Sequence, residues 1–520
     1  MPERLRLAEL VAALSLATDL GSGQPEERSL ARCLLAIRLG SVMGLEQEQL
    51  RTTYYASLLQ YVGCTTDAHR IAAIWGDEIA AGDWFAEIAS ANPAEAVGAI
   101  LRLHGASEPA VRRIRMLAAA LTRMPAQGNI LAAHCEVGER LAECLRLDST
   151  VQAALTQVYE RWDGKGMPNQ LKGDAIALPV RILKVAQDAV IFSSMAGTDR
   201  AVDVLRSRAG AAHDPHIVDA FCRHADVLTA KFNDAEGLQA VLEAEPAVPL
   251  WLTGNQLDGA LEAIADFSDL KSPYLAGHSR GVAELARDAA DQFGLNAADS
   301  TNVYRAGLLH DLGRVAVSAG VWGKPGQLND SEWERVRLHP YYTERILSRV
   351  PALAPLGTIG CKHHERLDGS GYPRGVRIAD LPMSARLIAA ADVYRAMLEP
   401  RPHRAAQPAA GAANVIREES KAGRLDAAAV DAVLAAAGHR VRRRRPRWPA
   451  GLSEREVDVL RLIARGRSDR DAAAILHLSS RTVHHHVQHI YDKLGVATRA
   501  AATLFAMQHG LLEPADAPER

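Results

Sequence analysis

Seven side chains between positions 278 and 392 are of the types that hold divalent metal ions: His278, the adjacent His310 and Asp311, His339, the adjacent His363 and His364, and Asp392. Imidazole and carboxylate are the ligands that borderline first-row cations prefer, and a metal so held acts as a Lewis acid. A single histidine on an apolar face is most often a satisfied core residue, and an isolated His-Asp dipeptide says almost nothing. A set of five histidines and two aspartates says much more. Asp392 strengthens the case, because it stands in RLIAAADVYRAML with apolar residues at 388, 389 and 396. A carboxylate on a buried helix face is costly unless a metal or another cation pairs with it.

The elements that must position this set are helical. The 520-residue chain is 48% apolar, 23% charged and only 5% aromatic, and its recurring alanine runs favour helix. Long strands are hard to find, so the expected fold class is all-α. The length calls for more than one domain. Six scattered cysteines without a CxxC pair read as reduced, buried small side chains. No signal-peptide pattern opens the chain and no window approaches a membrane span, so a cytoplasmic protein is expected. The net charge of -2 excludes little, but residues 439–449 (HRVRRRRPRWP) concentrate six arginines without an acid. Such a block is a solvated linker, or adds phosphate contacts to a neighbouring nucleic-acid module.

Comparing the chain with itself exposes two related halves. RSLARCLLAIRLGSVMGL (28–45) and ASLLQYVG (56–63) align with HSRGVAELARDAADQFGL (278–295) and AGLLHDLG (306–313). ERWDGKGMP (160–168) aligns with ERLDGSGYP (365–373), and His134 with His339, so the first copy carries extra residues around 65–130, also helical in pattern. The positions matching the seven candidates are Arg28, Gln60, Tyr61, His134, Val158, Tyr159 and Gln187. One histidine cannot hold a divalent ion there, so the first copy is expected to be metal-free and inert, burying an interface or offering its vacated site to a regulatory ligand.

Residues 273–404 resemble the HD-GYP subfamily of HD-domain phosphohydrolases, through YLAGHSRGVAELA (274–286), LLHDLGRV (308–315), GKPGQL (323–328), RLHP (337–340), HHERLDGSGYP (363–373), Asp-Val-Tyr at 392–394 and RPHR (401–404). The resemblance implies a catalytic centre at Asp311 and Arg314 and two metal ions. His278, His310, Asp311 and Asp392 would hold one, and Asp311 would bridge to a second on His339, His363 and His364. Such a pair, about 3.5–4 Å apart, activates water and stabilises phosphodiester oxygens during in-line displacement. Fe or Mn suits these ligands best, with Zn or Ni compatible. Arg314, Arg401 and Arg404 would grip substrate phosphates, a solvated surface being the blander reading. Tyr274 stands where some members add a glutamate for a third metal, which favours two. Arg395 replaces the usual Asp, and Ile378 a common Gly; these departures bear on the substrate, which in that family is a cyclic dinucleotide, typically cyclic di-GMP.

Residues 452–512 read as four helices. Ser453 and Glu456 form a capping box, Gly466 and Gly495 are stops, and Val483, Val487, Ile490 and Leu494 fall at helical spacing. With LSEREVDVLRLIARG, a Ser-x-x-Thr-Val turn and KLGVATR, the segment resembles the LuxR (GerE) type of helix-turn-helix. That resemblance implies double-stranded DNA as partner, with the third helix in the major groove. His484, His485 and Gln488 would read bases, while Ser480, Thr482, Lys493 and Arg499 would contact phosphates. A zinc site on the histidine run lacks a Cys or carboxylate to complete it.

The expected organisation is therefore a degenerate HD-like domain (1–225), a helical connector (226–265), an HD-GYP domain (266–437), an Arg/Pro-rich linker (438–451) and a four-helix DNA-binding domain (452–515). The chain would hydrolyse a cyclic dinucleotide or related phosphate ester and regulate transcription, as a homodimer at least on DNA. The alternative is a transcription factor whose HD-GYP domain senses a nucleotide with little turnover.

Overall fold

The computed structural model describes residues 4–75, 77–80, 82, 130–229, 237–441, 448–509 and 511–512. Most of the extra segment of the first copy and the centre of the Arg-rich block lie outside these residues. The chain divides into two units, Met1–His439 and Arg440–Arg520. Among the described residues the only strands are Arg4–Arg6 and Trp251–Thr253, paired antiparallel with Leu5 opposite Leu252; everything else regular is helix.

These two strands show where each copy begins. The first leads into α1 (Leu7–Gly21), α2 (Arg28–Val42) and α3 (Gln47–Leu59), with α4 (Leu178–Ala196) further along. The second leads into α5 (Gly254–Asp269), α6 (His278–Phe293), α7 (Ala297–Leu309), α8 (His339–Ser348), α9 (Met383–Leu398) and α10 (Ala427–Ala436). Residues 251–269, read from sequence as mostly connector, thus repeat the strand and helix that open the first copy. That start was invisible because strand and helix carry packing residues without a chemical motif.

The copies match down to individual hydrogen bonds. Asp19, in the last turn of α1, accepts the backbone N–H of Ser29 at 2.9 Å and its hydroxyl. Asp269 accepts the same pair from Ser279, at 2.9 and 2.7 Å. Each buried carboxylate ties the end of one helix to the first turn of the next, supplying N–H groups there with an acceptor the helix lacks. In the loop blocks, Glu160 accepts from the N–H groups of Asn169 and Leu171, and Glu365 from those of Arg374 and Val376. Met167–Pro168 and Tyr372–Pro373 are both cis. At Gly371 a Cβ would lie 2.4 Å from the Arg366 nitrogen, so the loop folds tightly only because that residue has no side chain.

The first copy's core packs α2 and α4 around Leu39, Ile182, Val185 and Phe221. The second buries Val282, Val303, Leu387, Ile388 and Val433. The unit from Arg440 has its own core, in which Val457, Leu460, Ile463, Val483, Val487 and Ile490 are all buried. Its helices are α11 (Glu454–Ala464), α12 (Asp469–Leu476), α13 (Ser480–Leu494) and α14 (Arg499–Gln508). The expected box is there: Ser453 accepts from the Glu456 N–H, and Glu456 in turn from the Ser453 N–H at 2.6 Å.

Phe221 is fully buried among aliphatic side chains of the first copy. Phe221→Ala should cost about 3–5 kcal/mol, seen as a lowered Tm of the full-length chain, while a substitution of exposed Val227 should leave it unchanged.

Candidate metal centre

Five helices and the turns that follow them bring the seven candidates to one buried point. His278 is the first residue of α6, held there by the Asp269–Ser279 clamp. His310 closes α7 and Asp311 follows it. The His310–Gly313 turn is fixed to α8 by Thr343, whose hydroxyl donates to the His310 carbonyl at 3.0 Å and accepts from the Gly313 N–H at 2.9 Å. Close approach is possible because residue 313 is glycine; a Cβ would sit 2.1 Å from the His339 carbonyl oxygen. His339 opens α8, His363 and His364 follow the short helix Ala354–Gly360, and Asp392 lies in the middle of α9. All are buried except His364, which is partly open.

Asp311 is the hub. Its Oδ2 is 2.9 Å from His310 Nε2 and 3.5 Å from His278 Nε2, and its Oδ1 is 3.3 Å from Nε2 of both His339 and His363. Asp392 reaches His278 Nε2 at 3.2 Å through Oδ1 and His364 Nδ1 at 3.8 Å through Oδ2. Three of the imidazoles are oriented alike. Nδ1 of His310, His339 and His363 lies 2.6–2.7 Å from the carbonyl oxygen three residues earlier, at Gly307, Val336 and Gly360. A ring that donates from Nδ1 carries its lone pair on Nε2, and in all three Nε2 points at the centre. His339 and His363 Nε2 face each other at 3.2 Å.

The electrostatics agree. Burial alone would raise the Asp311 carboxyl, but Arg314 and His310 beside it hold it well below the usual range. Asp392 is likewise held low against its burial, by the His278 hydrogen bond and by His364. Burial pushes His363 down to about 4, and burial together with His363 keeps His364 well below its ordinary value. Burial would lower His278 too, yet its bonds to Asp392 and Glu399 raise it to about 9. The centre therefore offers ionised carboxylates, and neutral imidazoles at His339, His363 and His364, while the two carboxylates beside His278 favour its charged form. Both Asp311 oxygens and His310 Nε2 are buried without a hydrogen-bond partner. Three groups of donor atoms within 4.8 Å of one another are available: His278, His310 and Asp392; His310, Asp311 and His363; and His339, His363 and His364. Such a donor set fits divalent cations, and unsatisfied buried acceptors of this kind call for them.

Arg314 and Arg401 join the centre; Arg404 does not. Arg314 Nη1 lies 2.8 Å from Asp311 Oδ2, but neither it nor the buried Nε makes an aligned hydrogen bond, leaving donors for an incoming anion. Arg401 is anchored to Glu399 at 2.9 Å. The Arg404 guanidinium instead donates to the carbonyls of Ala396, Met397, Glu399 and Ala405, closing the end of α9. Its expected phosphate role gives way to capping, because the last carbonyls of a helix need donors. Arg395 turns toward Glu399 at 3.9 Å, and Tyr274 is partly exposed.

Sequence reasoning missed three supporting residues. Glu399 accepts from His278 Nδ1 at 2.9 Å. Tyr372 stacks on His364, ring centroids 4.7 Å apart. Trp322 packs edge-on against His339 and under the Arg314 guanidinium. Tyr372 was inside the quoted GYP block, but neither Glu399 nor Trp322 carries a pattern that says what it touches.

In the first copy the equivalent point is closed by amides. Gln60 Nε2 donates to Gln187 Oε1 at 2.6 Å, where the second copy has His310 and Asp392. Tyr61 lies under the Arg32 guanidinium, and His134 Nε2 stands 3.9 Å from Asp67.

In the second unit, the exposed side of α13 presents Ser480, Arg481, His484, His485 and Gln488, while Val483, Val487 and Ile490 face inward. Ser479 caps the helix, accepting the Thr482 N–H at 3.1 Å. Lys493 is tied to Glu456 at 2.7 Å and to the Gly451 carbonyl, and Arg499 to Asp469 and the Arg467 carbonyl. His484 pairs with Asp469 at 3.2 Å.

Two known families match the chain. The HD domain family matches residues 112–217 and 262–429, one stretch in each copy, and the bacterial regulatory proteins of the luxR family match 450–506. The chain belongs to the HD-domain family and is a metal-dependent phosphohydrolase of the phosphodiesterase type, carrying a LuxR-type DNA-binding helix-turn-helix. It is 31% identical over 424 residues to a 3'3'-cGAMP-specific phosphodiesterase 3 of Vibrio cholerae, covering 79% of this chain and 90% of that one. A cyclic di-GMP phosphodiesterase of Thermotoga maritima is 34% identical over 167 residues, 32% of this chain and 45% of its own. A crystal structure of a cyclic GMP-AMP-specific phosphodiesterase from V. cholerae superposes with TM-score 0.57 at 26% identity, over 84% of this chain and 98% of that one. No helix among the described residues is long and apolar enough to cross a membrane.

Glu399→Gln removes the charge that orients and polarises His278. It should weaken divalent-metal affinity by about 10–100-fold, measured as metal retained per chain after dialysis against graded chelator.

Proposed function

We propose that the chain hydrolyses one phosphodiester bond of a 3'3'-linked cyclic dinucleotide, cyclic GMP-AMP or cyclic di-GMP, and couples that chemistry to transcriptional control through its DNA-binding unit. The convergence of seven ligand side chains on the unsatisfied Asp311 carboxylate carries this reading. On it, His278, His310 and Asp392 would hold one cation and His339, His363 and His364 a second, with Asp311 available to both. Fe or Mn is the expected pair. Bound there, the metals supply Lewis acidity and an activated water. The chain's own residues do the rest. Asp311 keeps the two halves in register, and Arg314 and Arg401 neutralise the phosphate that enters on the open His364 side. Arg314 suits this task because a guanidinium fork matches two phosphate oxygens at once. The long match to a cGAMP-specific relative favours the mixed dinucleotide as first choice.

For the second unit, His484, His485 and Gln488 would read base edges from α13 in the major groove. Ser480 and Thr482, with Lys493 and Arg499 once released from their carboxylates, would contact phosphates. Modules of this geometry bind paired half-sites, so a homodimer on DNA is expected.

Incubation of the full-length protein with Mn or Fe and each dinucleotide should give linear product from wild type. Asp311→Ala should give none and retain well under the roughly two ions per chain of a two-metal site. Tight dinucleotide binding by wild type without product would replace the enzyme by a sensor.

On a bound operator, Gln488→Ala should cost about 1–3 kcal/mol and relax preference at one base pair. Thr482→Ala should weaken all sequences alike. Fluorescence anisotropy on operator variants distinguishes the two.

A further inference from the structure

One carboxylate of the degenerate copy reaches toward the metal centre of the other. Glu78 is buried, and its Oε1 lies 2.9 Å from the ammonium of Lys271, which has no exposed surface. The same carboxylate accepts from the Ser318 hydroxyl at 2.6 Å and from the Ala319 N–H at 2.7 Å. It thus joins two separate stretches of the second copy. Lys271 begins the connection that runs into His278. Ser318 and Ala319 open the single helical turn Ala319–Trp322. Trp322 ends that turn, and its indole N–H donates to the Arg314 carbonyl at 3.3 Å. Its ring lies 5.3 Å from the Arg314 guanidinium and, edge-on, 5.7 Å from His339. Around the carboxylate, Ala68 and Ala72 of the first copy pack on Ala319, and Asp77 pairs with Arg335 at 2.6 Å.

We infer that Glu78 is a positioning residue for the reaction: by gripping Lys271, Ser318 and Ala319 it holds Trp322, and through it Arg314 and His339, in working geometry. A buried ion pair is a poor source of net stability, because desolvation offsets its attraction. What such a pair does well is fix where its partners stand, and here they are two segments flanking the centre. A turn of four residues has too few internal hydrogen bonds to hold itself; Ser318 caps its Gly320 N–H, and Glu78 answers the Ala319 N–H and fixes the Ser318 hydroxyl that does the capping. The inert copy is on this account a structural half of the active site.

The inference rests on the proposed phosphodiesterase for its kinetic readout but not for its structural one. In the full-length protein, Glu78→Gln should speed amide hydrogen exchange in 312–322 and 271–278 by at least ~10-fold while leaving the first-copy core unchanged. With Mn and cyclic dinucleotide, kcat/KM should fall ~10–100-fold, KM rising as Arg314 loses its support. A lower Tm with unchanged local exchange and unchanged kinetics would mean that Glu78 only staples the copies, and overturns the inference. Should Glu78→Gln fail to fold, Glu78→Asp keeps the charge but shortens its reach to all three partners and must move the same exchange and KM in the same direction; no movement overturns the inference. If wild type shows no turnover, the function proposed above fails, and exchange alone decides this one.

Discussion

A carboxylate cannot be ionised in a protein interior unless something nearby answers its charge, and Asp311 is fully buried with neither oxygen in a hydrogen bond. Much of the second copy follows from that constraint. Arg314 supplies one fixed positive charge. Burial keeps His339 and His363 on the neutral side, and carbonyls behind His310, His339 and His363 turn their Nε2 lone pairs inward. A group of neutral donors around an ionised hub is poorly satisfied by itself and well satisfied by divalent ions. Gly313, Thr343 and the Asp269–Ser279 clamp then matter for one shared reason: each fixes the backbone beside a donor rather than the donor itself.

How much of this could be read in advance depended on whether a residue acts through its own type. His278, His310, Asp311, His339, His363, His364 and Asp392 are recognisable from sequence because few other jobs need that collection in that order, and the geometry gathers all of them. The capping box at Ser453 and Glu456 was legible because it is a local pattern closed within one turn. Glu399, Trp322 and Glu78 were not, since a glutamate or a tryptophan declares no partner until the chain is folded; Glu78 meets Lys271 only across the copy boundary. Arg404 shows the opposite failure. It sits in RPHR beside Arg401, yet helix-end carbonyls claim its guanidinium, a competition that neither motif nor charge reveals. The strand that opens each copy was missed because a three-residue pair is sustained by its partner's backbone, not by its own composition.

The two copies record what happens when the hub is removed and the scaffold kept. The elbow carboxylate, the loop glutamate and the cis proline persist in both. At the centre, Tyr61 stands for Asp311, and Gln60 and Gln187 bond to each other where His310 and Asp392 stand. The two amides bond to each other once, and Gln60 Oε1, Gln187 Nε2 and the Tyr61 hydroxyl are left buried without partners, so the ligand set is gone while the point stays polar.

Joining such a centre to a DNA-binding unit sets a thermodynamic condition on any control it exerts. A dinucleotide can alter operator affinity only by binding two states of the protein unequally, and the operator must then alter dinucleotide affinity by the same factor. Couplings of this kind amount to about 1–3 kcal/mol, or roughly 5–150-fold. Hydrolysis of the proposed ligand would add what binding equilibrium cannot: it would convert the ligand that biases the states, so that the response would last only while fresh dinucleotide arrives. A pure sensor has no use for an activated water and would be served by arginines alone. The retention of all seven donors around one unsatisfied carboxylate is therefore an argument for turnover, because binding a dianionic ligand calls for positive charge, while cleaving it calls for a place to hold metal.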